Sequence, residues 1–157
     1  MKAKLLFLFV FAAVMAGCKK SKFTTTPQVE IESVKVGDLV DAFGNSGKFV
    51  ELNLTVTDKE GDVQDSIIID KIDAGTPACP GNSLLDDDYP MPEFPGEPNQ
   101  KVNVRIRYSN ISAVGYALLS GNDCPSNPHV VKFRFTVRDK EGNRSVPVES
   151  EVITLPF

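Results

Sequence analysis

The sequence predicts an all-β protein, an antiparallel β-sandwich of about seven short strands, from three observations. Apolar and polar residues alternate with a period of two in three segments, at 50–56, 102–108 and 131–137. This alternation is typical of strands with one buried face. Gly, Asn, Asp and Pro separate the segments, and no stretch has the apolar spacing of an amphipathic helix. Two sheets that bury their apolar faces against each other satisfy this pattern.

The first 17 residues have the composition of a leader sequence. Lys2 and Lys4 precede an apolar run that ends in Met15-Ala16-Gly17-Cys18. The run is shorter than the roughly 20 residues that a membrane-spanning helix needs, so a transmembrane anchor is the weaker interpretation. A Cys directly after two small residues resembles a bacterial lipobox, which implies cleavage before Cys18 and attachment of palmitate-type acyl chains there. An ordinary secretory signal that ends near a cysteine is the alternative.

Three parts of the chain follow from this interpretation. Residues 1–17 are predicted to be a lipoprotein signal peptide, 18–27 the lipidated Cys and a tether, and 28–157 a single domain. The lysines of the tether either contact anionic lipid headgroups or belong to a solvated spacer. The formal net charge of −4 argues against nucleic acid as a partner.

Two further cysteines, Cys79 and Cys124, remain after Cys18 is assigned to lipid. An even pair in an oxidising compartment predicts a disulfide, with two free thiols as the alternative. Neither cysteine has CxxC spacing and the only histidine is His129, so we do not expect a zinc site.

Weaker strand patterns fall near 28–36, 65–73, 112–119 and 145–155, whereas 74–100 is predicted to be a long irregular connection. One motif occurs twice, since 54–62 and 135–143 share the letters TVxDKEG followed by Asp or Asn. We predict that both copies form hairpin turns, with Gly61 and Gly142 at positive φ.

These features together resemble a broad group of bacterial outer-membrane lipoproteins with immunoglobulin-like β-sandwich domains. The resemblance is carried by the lipobox, the short tether, the strand ending in Asp58-Lys59-Glu60-Gly61-Asp62 and the later Asp-x-x-Gly-Asn-x-Ser segment. It implies an immunoglobulin-like fold and a lipid-anchored location at the outer membrane, on its periplasmic or cell-surface face. It implies no particular activity, because the group has none in common.

Four carboxylates around Gly61 form a candidate calcium site, made of Asp58, Glu60, Asp62 and Asp65. Calcium prefers six to eight oxygen ligands, so an acid-rich loop suits it, and we expect weak binding of the kind seen in extracellular modules. A turn without any metal explains the same residues, because the second copy keeps the Asp and the Gly but replaces the later acids. The run Asp86–Asp88 has similar alternatives, a solvated loop or part of a cation or partner site.

A second candidate site is a basic stripe. It would form if two of the predicted strands lay in one sheet, and it would bind an anionic glycan, headgroup or acidic protein; a solvated face is the alternative. Its members are Arg105, Arg107, Lys132, Arg134 and Arg138.

The sequence favours a noncatalytic, membrane-anchored interaction module as the function, with a protein or a glycan as its partner. The first alternative is a glycan-binding accessory lipoprotein, for which Tyr89, Phe94 and Tyr116 would have to form one exposed patch. An enzyme is the remote alternative, because the sequence has no nucleophile elbow, metal-binding His pair or Gly-rich phosphate loop. Apart from a weakly bound calcium ion, no cofactor is expected.

Overall fold

The structure is a computed structural model that describes residues 23–79, 86–119 and 129–155. The leader at 1–17, Cys18 and Cys124 lie outside these ranges. Within them, no helix is long and apolar enough to cross a membrane. The described strands are β1 (Gln28–Val40), β2 (Ser46–Asp58), β3 (Ser66–Asp73), β4 (Asp86–Pro90), β5 (Gln100–Ser109), β6 (Ala117–Leu118), β7 (His129–Arg138), β8 (Val148–Glu149) and β9 (Ile153–Leu155).

These strands form two sheets, which confirms the predicted fold class. Sheet A has the order β1–β2–β5–β6, and all its neighbours are antiparallel except the short β5–β6 pair. Sheet B has the order β4–β3–β7–β8, and β9 also pairs with β7. Two open, mostly antiparallel sheets with this strand order are typical of immunoglobulin-like sandwiches. The described part has nine strands rather than about seven, because β4 was not predicted and the 145–155 pattern is split into β8 and β9.

The core fills the space between the sheets with the inward residues of both. Tyr108 of sheet A stacks on Phe133 of sheet B, with ring centroids 5.9 Å apart and an interplanar angle of 10°. Because successive residues of a strand point to opposite faces, every second residue of the two central strands is buried. The fully buried members are Val50, Leu52, Leu54 and Val56 of β2 and Val131, Phe133, Phe135 and Val137 of β7.

The registers define two ends of the sandwich. Gln28 pairs with Thr57, and Asp58 pairs with Gln100, so the chain begins β1 beside the last residues of β2. We call this the tether end, because the backbone N–H of Lys59 donates to the carbonyl of Thr24 at 3.1 Å. The opposite end, called the far end, holds the β1–β2 hairpin and the β5–β6 connection.

β1 is the outer strand of sheet A, and no strand of the described residues pairs with its outer edge. Its register with β2 shifts between Ile31 and Ser33, which indicates a β-bulge. Charged side chains are exposed along the strand, namely Glu30, Glu32, Lys35 and Asp38. Charges and a bulge are the usual means by which an edge strand avoids pairing with another molecule.

The two copies of the repeated motif differ in topology. Gly61 and Gly142 both have positive φ, at 80° and 88°, as predicted. The second copy is a tight turn, in which Arg138 bridges to Arg144 across residues 139–143. The first copy is not a hairpin, because it leads from β2 in sheet A to β3 in sheet B. The prediction of two equivalent hairpins was therefore wrong for the first copy.

We predict that Gly61→Ala destabilises the protein more than Gly142→Ala. A Cβ at Gly142 meets nothing within 4 Å, so only its positive φ is penalised, by about 1 kcal/mol. A Cβ at Gly61 would lie 2.2 Å from the carbonyl oxygen of Glu97, which adds a backbone clash and brings the loss to about 2 kcal/mol or more. Urea unfolding of both variants measures the difference, and equal losses would contradict the packing described here.

Candidate functional sites at the two ends of the sandwich

Two aspartates continue the core-facing series of the central strands at the tether end. Asp58 comes two residues after Val56 in β2, and Asp139 comes two residues after Val137 of β7. Their side chains therefore keep the inward direction of the core residues, and they are 0% and 1% exposed. The two sheets thus bring together the first aspartates of the two motif copies, which are 81 positions apart in the sequence numbering.

Asp62 completes a cluster of three carboxylates with these two residues. One oxygen from each of Asp58, Asp62 and Asp139 lies within 4.8 Å of the other two. The Oδ2 atom of Asp58 accepts the backbone N–H of Gly61 at 2.7 Å. The carbonyl of Asp62 accepts the N–H of Lys140 at 3.0 Å, which ties the β2–β3 crossover to the turn after β7.

The electrostatics of the cluster are unfavourable for three charged groups. Burial raises the pKa of Asp62, and the neighbouring Asp139 and Asp58 raise it further. Among the described residues, no lysine or arginine forms an ion pair with any of the three. Within that part of the chain, the Oδ1 atoms of Asp58 and Asp62 are buried and have no hydrogen-bond partner.

Two other turns of the chain have the same Asp-x-x-Gly sequence, but both carboxylate oxygens of their leading aspartates accept hydrogen bonds. In 41–45, Asn45 donates its Nδ2 to Oδ2 of Asp41 at 2.7 Å and its backbone N–H to Oδ1 at 2.8 Å. These bonds lower the pKa of Asp41, that from the Asn45 side chain most. In 139–143, Asn143 donates to the two oxygens of Asp139 in the same way, at 2.7 and 2.9 Å. The fifth position of the first motif copy holds Asp62 instead, and a carboxylate cannot donate.

The structure brings together only part of the predicted calcium set. Asp58 and Asp62 are in the cluster, whereas Glu60 is exposed at the surface of the crossover. Asp65 accepts a hydrogen bond from Arg138, which lowers its pKa and engages it in an ion pair. Asp139 was not predicted, because the acids of the predicted set are close along the chain and Asp139 belongs to the second motif copy.

The predicted basic stripe does not form one surface. Arg105 and Arg107 lie on β5 in sheet A, whereas Lys132, Arg134 and Arg138 lie on β7 in sheet B. Each of these side chains also has an acidic neighbour. Glu51 pairs with Arg107 at 2.9 Å and Arg105 at 4.0 Å, Asp70 with Arg134 at 3.1 Å, Glu149 with Lys132 at 3.5 Å, and Asp65 and Asp88 with Arg138. Each positive charge is thus neutralised by a nearby acid. Because β5 and β7 lie in different sheets, the single basic surface that the prediction required does not form.

The far end carries large apolar side chains in contact with water. Phe43 at the tip of the β1–β2 hairpin is 91% exposed, and the turn holds it in place because its N–H donates to Oδ1 of Asp41 at 2.8 Å. The β5–β6 connection lies beside this hairpin, since the N–H of Lys48 donates to Oδ1 of Asn110 at 2.8 Å. The remaining exposed apolar residues of these two segments are Val36, Val40, Val114 and Leu118.

The aromatic residues considered for glycan binding do not form a shared patch. Tyr89 donates to Asp87 from β4, and Phe94 packs against the core. Tyr116 lies edge-on to Phe49, with centroids 5.8 Å apart, and Arg107 sits over its ring at 5.6 Å. A polar groove of about 690 Å³ runs over the outer face of sheet A instead. Its side chains include Asn53, Thr55, Lys101, Asn103, Arg105 and Arg107.

Cys79 and His129 are both buried at the far end, at 1% and 4% exposure. The N–H of Cys79 donates to Asp73 at 2.8 Å, and Nε2 of His129 lies 3.4 Å from Nζ of Lys71. Cys124 lies outside the described residues, so the disulfide between Cys79 and Cys124 stays a prediction. The run Asp86–Asp88, which was predicted to lie in an irregular loop, is part of strand β4 instead. Nη2 of Arg138 donates to Oδ2 of Asp88 at 3.4 Å.

No family model, no curated protein and no solved structure matches this chain significantly. The function must therefore be inferred from the side chains and contacts described above. The two ends of the sandwich provide the material for that inference.

We predict that Asp65→Asn flattens the acid limb of the stability profile. Arg138 lowers the folded-state pKa of Asp65, so its ion pair stabilises the protein above the unfolded pKa of about 3.9 and is lost as the pH falls through the folded value. Urea unfolding between about pH 6 and about pH 3 measures this loss. Arg138→Gln should flatten the profile equally, and the double variant should add nothing. Parallel profiles for the wild type and both variants would contradict the coupling.

Proposed function

We propose that this chain is a lipid-anchored extracytoplasmic protein of the outer membrane, and that its sandwich is a noncatalytic module that binds a protein partner at the far end. The single observation that carries the proposal is that most of the large exposed apolar side chains of the described residues lie opposite the tether, although Val146 is 80% exposed at the tether end. Phe43 and Val114 are 91% and 96% exposed. A tether of nine residues after Cys18 reaches at most about 30 Å, so the tether end stays close to the bilayer and the far end is directed away from it.

The chemistry of the far end suits a protein partner. Exposed apolar residues on neighbouring segments can form an interaction site in a soluble domain, and aromatic side chains are enriched in interface cores. The hydrogen bonds from Phe43 and Asn45 to Asp41 hold the hairpin tip in one conformation before binding. A preorganised tip loses less conformational entropy on association than a flexible one, which favours affinity.

Glycan binding is the second candidate, and the polar groove on sheet A is the observation that favours it. Amide and guanidinium groups such as those of Asn53, Asn103 and Arg105 line this groove, and such groups recognise sugar hydroxyls by directed hydrogen bonds. The groove has fewer features that support it than the far end, because none of the three aromatic candidates lines it. In addition, both arginines of the groove, Arg105 and Arg107, form ion pairs with Glu51.

We predict that Cys18→Ala moves the protein from the membrane fraction to the soluble fraction. The mature wild-type protein should have an intact mass that begins at Cys18 and includes diacylglyceryl and acyl groups, since two or more chains are needed for a stable anchor. Ser21→Ala, in the same tether, serves as the control and should remain in the membrane. A Cys18→Ala protein that stays in the membrane to the same degree would contradict the anchor.

We predict that a photoreactive amino acid at position 43 crosslinks a specific partner in intact cells, whereas one at position 30 does not. Glu30 is exposed at the tether end and provides the matched surface control. Phe43→Ser should lower recovery of the same partner at least tenfold. Because the side chain is exposed, the free energy of unfolding should stay within about 0.5 kcal/mol of the wild-type value. Equal crosslinking at both positions would exclude the far end as the binding surface.

A further inference from the structure

We propose that Asp58, Asp62 and Asp139 bind one divalent cation, calcium, at the tether end. This inference is independent of the partner proposed for the far end. One oxygen from each residue lies within 4.8 Å of the others. Calcium–oxygen distances are about 2.3–2.6 Å, so two ligands on opposite sides of one ion are about 5 Å apart. The observed spacing fits a shared ion without any change of fold.

The buried oxygens without partners provide an observation independent of the clustering. Asp58 is fully buried, and its Oδ1 has no hydrogen-bond partner among the described residues, although Oδ2 accepts from Gly61. The Oδ1 atom of Asp62 is in the same situation while both carboxyl groups are ionised, whereas a proton on one of them would form a hydrogen bond between the two side chains. A buried carboxylate oxygen without a donor is strongly destabilising, and such an atom in a folded protein indicates a missing ion or proton. A cation between these oxygens would satisfy both of them.

The other Asp-x-x-Gly turns show what the tether end lacks. Asn45 and Asn143 each close their turn with a side-chain amide that donates to the leading aspartate. Asp62 stands in the equivalent position of its turn, so the donor is replaced by a second negative charge. The protein therefore contains the neutral form of this turn twice and the acidic form once. Replacement of a donor by an acid, in the one turn that also faces Asp139, points to a positive ion in the place of the missing hydrogens.

The β2–β5 register places one further residue with a side-chain oxygen beside Asp58, and Asp139 has spare capacity to accept. Gln100 pairs with Asp58 across β2 and β5, and its Oε1 is buried with no hydrogen-bond partner in the described part of the chain, while its Nε2 donates to Pro95. Asp139 retains free lone pairs, because each carboxylate oxygen can accept more than the one bond that Asn143 donates. A mixed set of carboxylate and amide oxygens suits calcium, which tolerates irregular shells, better than magnesium, which requires a near-ideal octahedron.

Bound calcium would join the two sheets at this end. Asp58 is the last residue of β2, Asp62 lies in the β2–β3 crossover, and Asp139 begins the turn after β7, so one ion would hold both segments. The crossover also contacts the tether, since the backbone N–H of Lys59 donates to the carbonyl of Thr24. The carbonyl of Lys59 accepts the N–H of Asn99 at 2.8 Å. We expect a dissociation constant of about 10⁻⁴ to 10⁻³ M, the range of extracellular calcium modules, because only three charged ligands are present.

The test measures calcium binding to the detergent-solubilised full-length protein at fixed pH. Calorimetry gives the binding heat, and thermal unfolding gives the change in Tm. The wild type should show one saturable binding heat and a rise in Tm. At calcium ten times the dissociation constant, the unfolding equilibrium constant should fall about elevenfold. Magnesium at the same concentration should give a smaller shift. No heat and no shift with calcium would overturn the proposal.

Three variants assign the effect to the cluster. Asp62→Asn recreates the neutral turn, so it should fold, should be at least as stable as the calcium-free wild type, and should lose the response to calcium. Asp139→Asn should weaken the response at least tenfold and replaces Asp62→Asn if that variant is unfolded. Glu60→Gln, an exposed acid in the same turn, should respond like the wild type. Calcium stabilisation that persists in Asp62→Asn, or disappears in Glu60→Gln, would place the ion elsewhere and overturn the assignment.

Discussion

The structure depends on the face-to-face burial of β2 against β7. These two strands are central in their sheets, and their inward residues are completely enclosed. At about 25 cal/mol per Å² of apolar surface removed from water, this contact is the main source of stability in a domain of this size. It also fixes the phase of both strands, because a slip of one residue would turn every buried side chain toward solvent. The direction of Asp58 and Asp139 follows from the same phase.

The outward faces follow from a different rule, local neutralisation of charge. Arginines and lysines on β5 and β7 lie beside acids on the neighbouring strands, as the pairs Glu51–Arg107 and Asp70–Arg134 show. Hydrogen bonds from Asn53 and Arg107 lower the pKa of Glu51 and keep it charged. Exposed pairs of this kind contribute little stability each, but they remove a continuous field that would attract a polyanion. The surface is therefore mixed in charge even where the sequence shows several basic residues in the outward phase.

Much of the fold could be predicted from local pattern alone. The alternation in β2, β5 and β7 and the positive φ of Gly61 depend on neighbouring residues, so the sequence contains them directly. β4 was missed because its five residues include three aspartates and a proline, and β3 supplies the pairing that makes it a strand. Sheet membership was also beyond local pattern, since it depends on which strands pair across long separations. This is why the basic stripe and the first hairpin were predicted wrongly.

The candidate cluster could be predicted from the sequence only in part. The repeated motif placed Asp58 and Asp139 in equivalent positions after two buried strands, and the period of two gave both of them the inward direction. Those two signals, used together, would have brought Asp139 into the predicted set. They would not have removed Glu60, which has the same phase as Asp58 and is exposed because β2 ends at Asp58. Gln100 had no comparable signal, because its position opposite Asp58 follows from the β2–β5 register.

The bulged and charged edge of β1 has a consequence for the lipid-anchored protein that we propose. A lipid anchor confines molecules to two dimensions and orients them alike, so neighbouring copies meet edge to edge far more often than they would in free solution. An unprotected strand of 13 residues would then extend sheet A from one copy to the next. The bulge near Ser33 interrupts the spacing of backbone donors and acceptors, and Glu30 and Glu32 of adjacent copies repel each other. On the membrane anchor that we propose, this edge would disfavour lateral polymerisation and would keep copies of the protein separate at high surface density.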